Sequence, residues 1–126
     1  MRYLVDTTFV IDHLRDDPAA VGRLERMLEN GDDPFINDVV ACEAWFGAPS
    51  TGDPALAALL GAVEFVQPGP DAARRAGAWR AEARARGWVL SLSDSLIAAA
   101  ADAVDATILT RNMRDFALTP VPVEPY

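Results

Sequence analysis

Short strand-like runs alternate along this chain with longer stretches of helical pattern, and that alternation most limits what it can fold into. Tyr3-Leu4-Val5 is a short apolar run ending at Asp6 and reads as a buried strand. Helical periodicity follows in Phe9, Val10 and Leu14. Asp17-Pro18 then supplies a capping carboxylate with proline in the first turn, which predicts a helix through about Asn30. Gly31-Asp32-Asp33-Pro34 is turn chemistry, Phe35-Ile36 a second, very short strand, and Val39 to Gly47 a helix. The start signal recurs at Asp53-Pro54, opening a helix to about Ala62, before a third strand over Val63 to Val66. Pro68-Gly69-Pro70 breaks that strand and a long helix is expected from about Asp71 to Arg86. Ser93 is a candidate N-cap for a helix to about Val104. Thr107 to Thr110 reads as a fourth strand, a short turn follows, and Val121 to Glu124 is a candidate fifth. Strands separated by helices imply an α/β fold with a largely parallel sheet.

The chain of 126 residues suits one domain over 1–126, and with 51% hydrophobic residues it can bury a sizeable core. No apolar run is long enough to span a membrane, and an Asp at position 6 comes too early for a signal peptide. The lone Cys42 has no partner for an internal disulfide and fits a reducing compartment, so a cytoplasmic location is expected. Every basic residue apart from His13 is an arginine. The absence of lysine excludes Schiff-base chemistry, a P-loop and the lysine of a receiver domain. With a formal charge of −8 the chain is poorly suited to binding nucleic acid indiscriminately. Any action on RNA must rest on a local group of arginines, a bridging metal, or both.

In open parallel sheets, ligands bind beyond the carboxyl ends of the strands, which is where Asp6 stands. Taken alone, Asp6 is equally an N-cap of the following helix. Glu43 interrupts the apolar stretch from Val39 to Phe46, so the pattern predicts a buried acid that needs an arginine, a helix terminus or a metal. Asp94 precedes Ser95-Leu96-Ile97-Ala98-Ala99-Ala100-Ala101, apolar all round and therefore a core helix. There it either complements the helix dipole or points into the space beside Asp6. Converging carboxylates repel one another and raise a pKa unless a cation neutralises them, and an all-oxygen site suits Mg²⁺ or Mn²⁺. His13, near Asp12 and Arg15, reads as a surface residue; one histidine excludes both a histidine–zinc site and a two-histidine ribonuclease mechanism.

Leu4-Val5-Asp6-Thr7-Thr8, the Glu43 helix, Ser93-Asp94-Ser95-Leu96-Ile97-Ala98 and Leu109-Thr110-Arg111-Asn112-Met113-Arg114-Asp115-Phe116 together resemble the four motifs of PIN-domain ribonucleases. Their order, spacing and total length are most similar to the VapC-type toxins of toxin–antitoxin pairs. The last two motifs are the distinctive ones. The resemblance implies a three-layer α/β/α domain with a mostly parallel sheet of four to five strands. It also implies hydrolysis of RNA with Mg²⁺ or Mn²⁺, a homodimer, and silencing by a cognate antitoxin. Asp6, Glu43 and Asp94 match the family's three principal acids. Relatives differ over the fourth, which falls at Asn112 in some and Asp115 in others. Asp115 is therefore expected in an outer, water-mediated metal role and Asn112 as a neutral ligand or substrate contact. Thr7 and Thr110 are expected to orient carboxylates or water, and Arg111 and Arg114 are candidate phosphate contacts.

Asp38 departs from the pattern, standing where relatives usually carry Ser or Thr; it is either the N-cap of the Glu43 helix or an extra acid at the metal site. Arg74, Arg75, Arg80, Arg84 and Arg86 flank a stripe of Ala72, Ala76, Trp79 and Ala83, either guiding an RNA backbone or forming a solvated helix face. Trp45 and Phe46 are expected in the core or in a dimer contact. Two other classes of function remain open. One is a catalytically silent module docking a basic peptide or RNA. The other is an aspartate-nucleophile phosphoryl transferase, which Thr8 and the missing lysine disfavour.

Overall fold

The computed structural model describes residues 1–126 as a five-stranded, wholly parallel sheet of order β3-β2-β1-β4-β5, with helices on both faces in three α/β/α layers. The strands are β1 (Arg2–Val5), β2 (Asp33–Asn37), β3 (Glu64–Val66), β4 (Thr107–Leu109) and β5 (Val123–Glu124). The helices are α1 (Thr7–Leu14), α2 (Pro18–Glu29), α3 (Asp38–Phe46), α4 (Pro54–Gly61), α5 (Pro70–Ala85), α6 (Leu92–Ala103) and α7 (Met113–Phe116). A parallel sheet directs the carboxyl ends of all its strands to one edge, so β1, β2 and β4 deliver Asp6, Asp38 and Thr110 to the same rim. The register pairs Val5 with Leu109, which sets Asp6 beside Thr110.

The Asp-Pro starts act as their chemistry requires. Asp17 accepts hydrogen bonds from the Ala19 and Ala20 amides, and Asp53 accepts one from Leu56, each with proline in the first turn. Two other starts differ from expectation. Ser91 rather than Ser93 caps α6, because its hydroxyl accepts the Asp94 amide; Ser93 lies inside the first turn. Asn37 rather than Asp38 caps α3, accepting the Val40 amide, while Asp38 is the first helical residue and is exposed. The turn expected after β4 contains the short α7.

The core runs along both faces of the sheet through Leu4, Val5, Phe9, Val10, Met27, Ile36, Val40, Leu56, Ile97, Ile108, Leu109 and Phe116, all at most 2% exposed. Burial of each large side chain of this kind contributes roughly 1.5–3 kcal/mol. Alanine fixes the spacing of the outer layer. Ala98 to Ala101 of α6 are buried, and Ala99 meets Ala72 and Ala76 of α5, with Trp79 and Leu96 packed alongside. The alanine stripe on α5 is thus a helix–helix contact. No helix is long and apolar enough to cross a membrane.

Candidate active site

Asp6 is the deepest of the acids, at 4% exposure. One oxygen accepts the Phe9 amide at 2.9 Å, so Asp6 does cap α1; the other accepts the Thr110 hydroxyl at 2.5 Å. Burial pushes its carboxyl above the ordinary value. The Thr110 and Phe9 hydrogen bonds pull it back down, and the charges of Asp94 and Asp12 push it up again.

Asp94 is half-buried in the first turn of α6. Its carboxyl is also raised, first by burial and then by the charges of Asp115 and Glu43, against the lowering effect of Ser91. These mutual effects tie Asp6, Asp94, Asp115 and Glu43 into one electrostatic group at the carboxyl edge of the sheet. None of the four is in an ion pair with an arginine.

Glu43 overturns one expectation. It is exposed, and α3 buries only Val40 and Ala44; Cys42, Trp45 and Phe46 face outward, Phe46 at 92% exposure. The helix is apolar in composition but is covered on one side only, so periodicity exaggerated its burial. Trp45 and Phe46 are accordingly not core residues. Glu43 is oriented by the Thr7 hydroxyl, which donates to its Oε1 at 2.7 Å. Asp115, on α7, accepts the Asn112 side-chain amide at 2.9 Å, and the Asn112 backbone N–H donates to the Thr110 hydroxyl oxygen at 2.8 Å. Thr110 therefore links Asp6, at the end of β1, to the segment carrying Asp115.

The donor set is all oxygen, carries unneutralised negative charge and includes two carboxyls raised by burial and mutual repulsion. In chemistry it fits a hard divalent cation. No three of these side chains already converge as a ready-made ion cage. Mg²⁺ and Mn²⁺ do not require an all-protein cage, since such ions retain water ligands alongside one or two carboxylates.

A profile of the PIN domain matches residues 3–121. The chain belongs to the PIN-domain family. Ribonuclease VapC19 of Mycobacterium tuberculosis is 36% identical over 123 residues, 98% of each chain. This PIN domain is homologous to the VapC family of ribonuclease toxins. A toxin–antitoxin complex from Klebsiella pneumoniae superposes with a TM-score of 0.81 at 28% identity, covering 98% of each chain. VapBC2 from Rickettsia felis, bound to a promoter DNA fragment, gives a TM-score of 0.85 at 24% identity over 100% of this chain and 99% of that one, a likeness of fold.

Several side chains of this PIN domain stand outside the acidic group. Arg111 pairs with Asp12 at 2.9 Å and Asp17 at 3.1 Å and lies over the Tyr126 ring, 4.7 Å from its centre. Arg114 is exposed and has no ion pair. Asp38 borders a cavity with Gln67, Pro68 and Leu96 that none of the four acids lines. His13 is half-buried on α1.

Two structural residues escaped sequence reasoning. Asn37 is 1% exposed; besides capping α3 it donates from Nδ2 to the Leu96 carbonyl at 3.3 Å, joining the Glu43 helix to the Asp94 helix. Its only signal was a cap-type residue directly after an apolar strand, and the adjacent Asp38 masked it. Tyr126 donates its hydroxyl to Asp12 at 2.7 Å and meets Phe9 edge-on, with ring centres 4.8 Å apart. Burial and the negative charges of Asp12 and Asp6 push its phenol far above the ordinary value. Nothing in the local sequence marks that contact, which spans most of the chain.

Proposed function

We propose that this PIN domain is a metal-dependent endoribonuclease, the toxin of a toxin–antitoxin pair, with Asp6, Glu43, Asp94 and Asp115 as its catalytic acids. One observation carries the reading: four carboxylates gather at the carboxyl edge of the sheet without an arginine among them, two of them with raised pKa values. A purely structural cluster would be expected to neutralise itself with cationic side chains, as Asp12 and Asp17 do with Arg111.

Asp6 and Asp94 would hold the principal Mg²⁺ or Mn²⁺, Glu43 would complete its shell or accept a hydrogen bond from the attacking water, and Asp115 would act through water from outside. When bound, such an ion supplies Lewis acidity toward a phosphodiester and lowers the pKa of water. Thr110 and the Phe9 amide fix the rotamer of Asp6, leaving lone pairs on both oxygens. Thr7 does the same for Glu43 and Asn112 for Asp115. Asn112 therefore serves as a positioning residue and Asp115 as the fourth acid. A cognate antitoxin and a homodimer follow from the kinship with toxin–antitoxin complexes, and exposed Trp45 and Phe46, on the helix of Glu43, offer an apolar surface for either.

The test is RNA cleavage by purified protein in Mg²⁺, Mn²⁺ or EDTA, wild type beside Asp94→Asn. Cleavage that needs the metal and is lost in the variant supports the assignment. Equal cleavage by both proteins, or cleavage in EDTA, refutes it. Metal binding without cleavage of any RNA would favour the silent binding module instead.

A further inference from the structure

Arginine is the only strongly basic side chain in this acidic protein, with 11 copies against 19 acids. Arg23, Arg74, Arg75 and Arg111 are held by carboxylates, and Arg2 is bonded to the Val104 carbonyl. Arg80, Arg84 and Arg114 have no acidic partner, and all three border one exposed aromatic residue, Trp88. Trp88 and its neighbour Val89, 58% and 85% exposed, form a ridge between α5 and α6. On one side lies a cavity of about 260 Å³ containing Arg80 and Arg84; on the other, one of about 370 Å³ containing Arg114, Leu118 and Asp115. Arg80 is fixed in place by donating to the Leu90 carbonyl at 3.0 Å.

A flat indole left open to solvent between unpaired guanidinium groups matches a polyanion that carries flat apolar faces. That is the chemistry of single-stranded nucleic acid, whose bases stack on aromatic residues while arginines meet its phosphates. Asp115 ties the second cavity to the acidic group, so a strand lying along the ridge would run directly into the proposed cleavage site.

We propose that the Trp88 ridge is a binding subsite for the single-stranded RNA segment flanking the scissile phosphate. Trp88 stacks against a base, while Arg80 and Arg84 on one side and Arg114 on the other contact phosphates. The inference rests on the ribonuclease reading and adds to it the surface that lets an acidic protein hold an anionic substrate.

The experiment measures binding of fluorescein-labelled dodecauridylate and dodecaadenylate in EDTA, by anisotropy, alongside cleavage of the same RNAs in Mn²⁺. Wild type is compared with Trp88→Leu, Trp88→Phe and the double variant Arg84→Gln/Arg114→Gln, each checked for an unchanged melting temperature. Loss of one stacked base weakens binding roughly 5- to 150-fold in Trp88→Leu, whereas Trp88→Phe keeps most of the affinity. The double arginine variant flattens the dependence of log K on log salt by about 1.4, roughly 0.7 for each lost phosphate contact. Wild-type affinity in Trp88→Leu, with cleavage intact, overturns the subsite and leaves the ribonuclease reading standing. If wild type itself neither binds nor cuts RNA, the ribonuclease reading falls and the subsite with it. Dissociation of a dimer into monomers by Trp88→Leu, seen by sedimentation, would assign the ridge to a contact between copies and also overturn the proposal.

Discussion

Asn37→Ala should destabilise the protein far more than its modest role in the sequence pattern implies. The side chain is 1% exposed and both of its polar atoms are engaged: Oδ1 accepts the Val40 amide at 3.1 Å and Nδ2 donates to the Leu96 carbonyl at 3.3 Å. Truncation removes an N-cap, at a cost of about 1–2 kcal/mol when the orphaned amide is buried. It also removes one neutral hydrogen bond, worth about 1 kcal/mol. The expected loss is about 2–3 kcal/mol. At an unfolding entropy near 2.1 cal/mol/K per residue, that lowers the melting temperature of a domain this size by roughly 8–11 °C. Asn37→Ser keeps a capping oxygen and loses the amide donor, so it should lose about half as much. Urea and thermal unfolding, followed by circular dichroism in EDTA, measure both variants. A loss under about 0.5 kcal/mol in Asn37→Ala, or equal losses in the two variants, would refute the two-bond account. Because Asn37 joins the helices carrying Glu43 and Asp94, Mn²⁺ affinity should also fall in Asn37→Ala at temperatures where it remains folded.

Asp94→Asn should abolish metal-dependent cleavage and yet stabilise the metal-free protein at neutral pH. Asp6 and Asp94 have folded pKa values raised above the ordinary 3.8, so their contribution to stability is full below that value and is lost as pH rises through the folded values. The melting-temperature advantage of the variant in EDTA should therefore shrink on acidification toward pH 4 and shrink at pH 7 when Mn²⁺ is added; an advantage independent of both would exclude charge repulsion as its source. Arg111→Gln should destabilise only slightly, since its partners are partly solvated, and less so at high salt. Asp17, held below the ordinary carboxylate value by the Ala20 amide and Arg111, has the opposite sign, so the deficit of Arg111→Gln should narrow as pH falls through the range where Asp17 protonates.

The layer order, the parallel sheet and the acidic edge were legible because they depend on local signals. The apolar run of β1 ends at Asp6, the Asp-Pro pairs open α2 and α4, and the alanines of α6 admit no orientation but a buried one. What escaped was set by tertiary contact. The same apolar pattern describes α3 and α6, yet α6 is covered by α5 and the sheet whereas the end of α3 projects outward, so Glu43 is exposed and Asp94 half-buried. Likewise Asn37 and Asp38 are equally good capping residues; the choice between them follows from Leu96, 59 positions away, which offers a carbonyl to the Asn37 amide. Arg111 and Arg114 sit in one motif, but only Arg111 finds acids within reach, on the first two helices.

That last contrast bears on what the acidic edge is for. Three acids in the group are oriented by neutral partners, Asp6 by Thr110 and the Phe9 amide, Glu43 by Thr7 and Asp115 by Asn112, and the carboxyl of Asp94 is lowered by the neutral Ser91. A hydroxyl or an amide fixes a carboxylate rotamer without cancelling its charge, whereas a guanidinium would do both. The fold has an arginine at hand, since Arg111 immediately follows Thr110, but it turns to Asp12, Asp17 and the Tyr126 ring. Positioning without neutralisation leaves a repulsive, partly buried group in which the carboxyls of Asp6 and Asp94 are raised, a strain that a structural cluster has no reason to retain. It is the arrangement expected of a site whose missing positive charge arrives from solution, and it predicts that placing that charge permanently, as in Thr110→Arg or Thr7→Arg, would silence the edge even where the domain still folds.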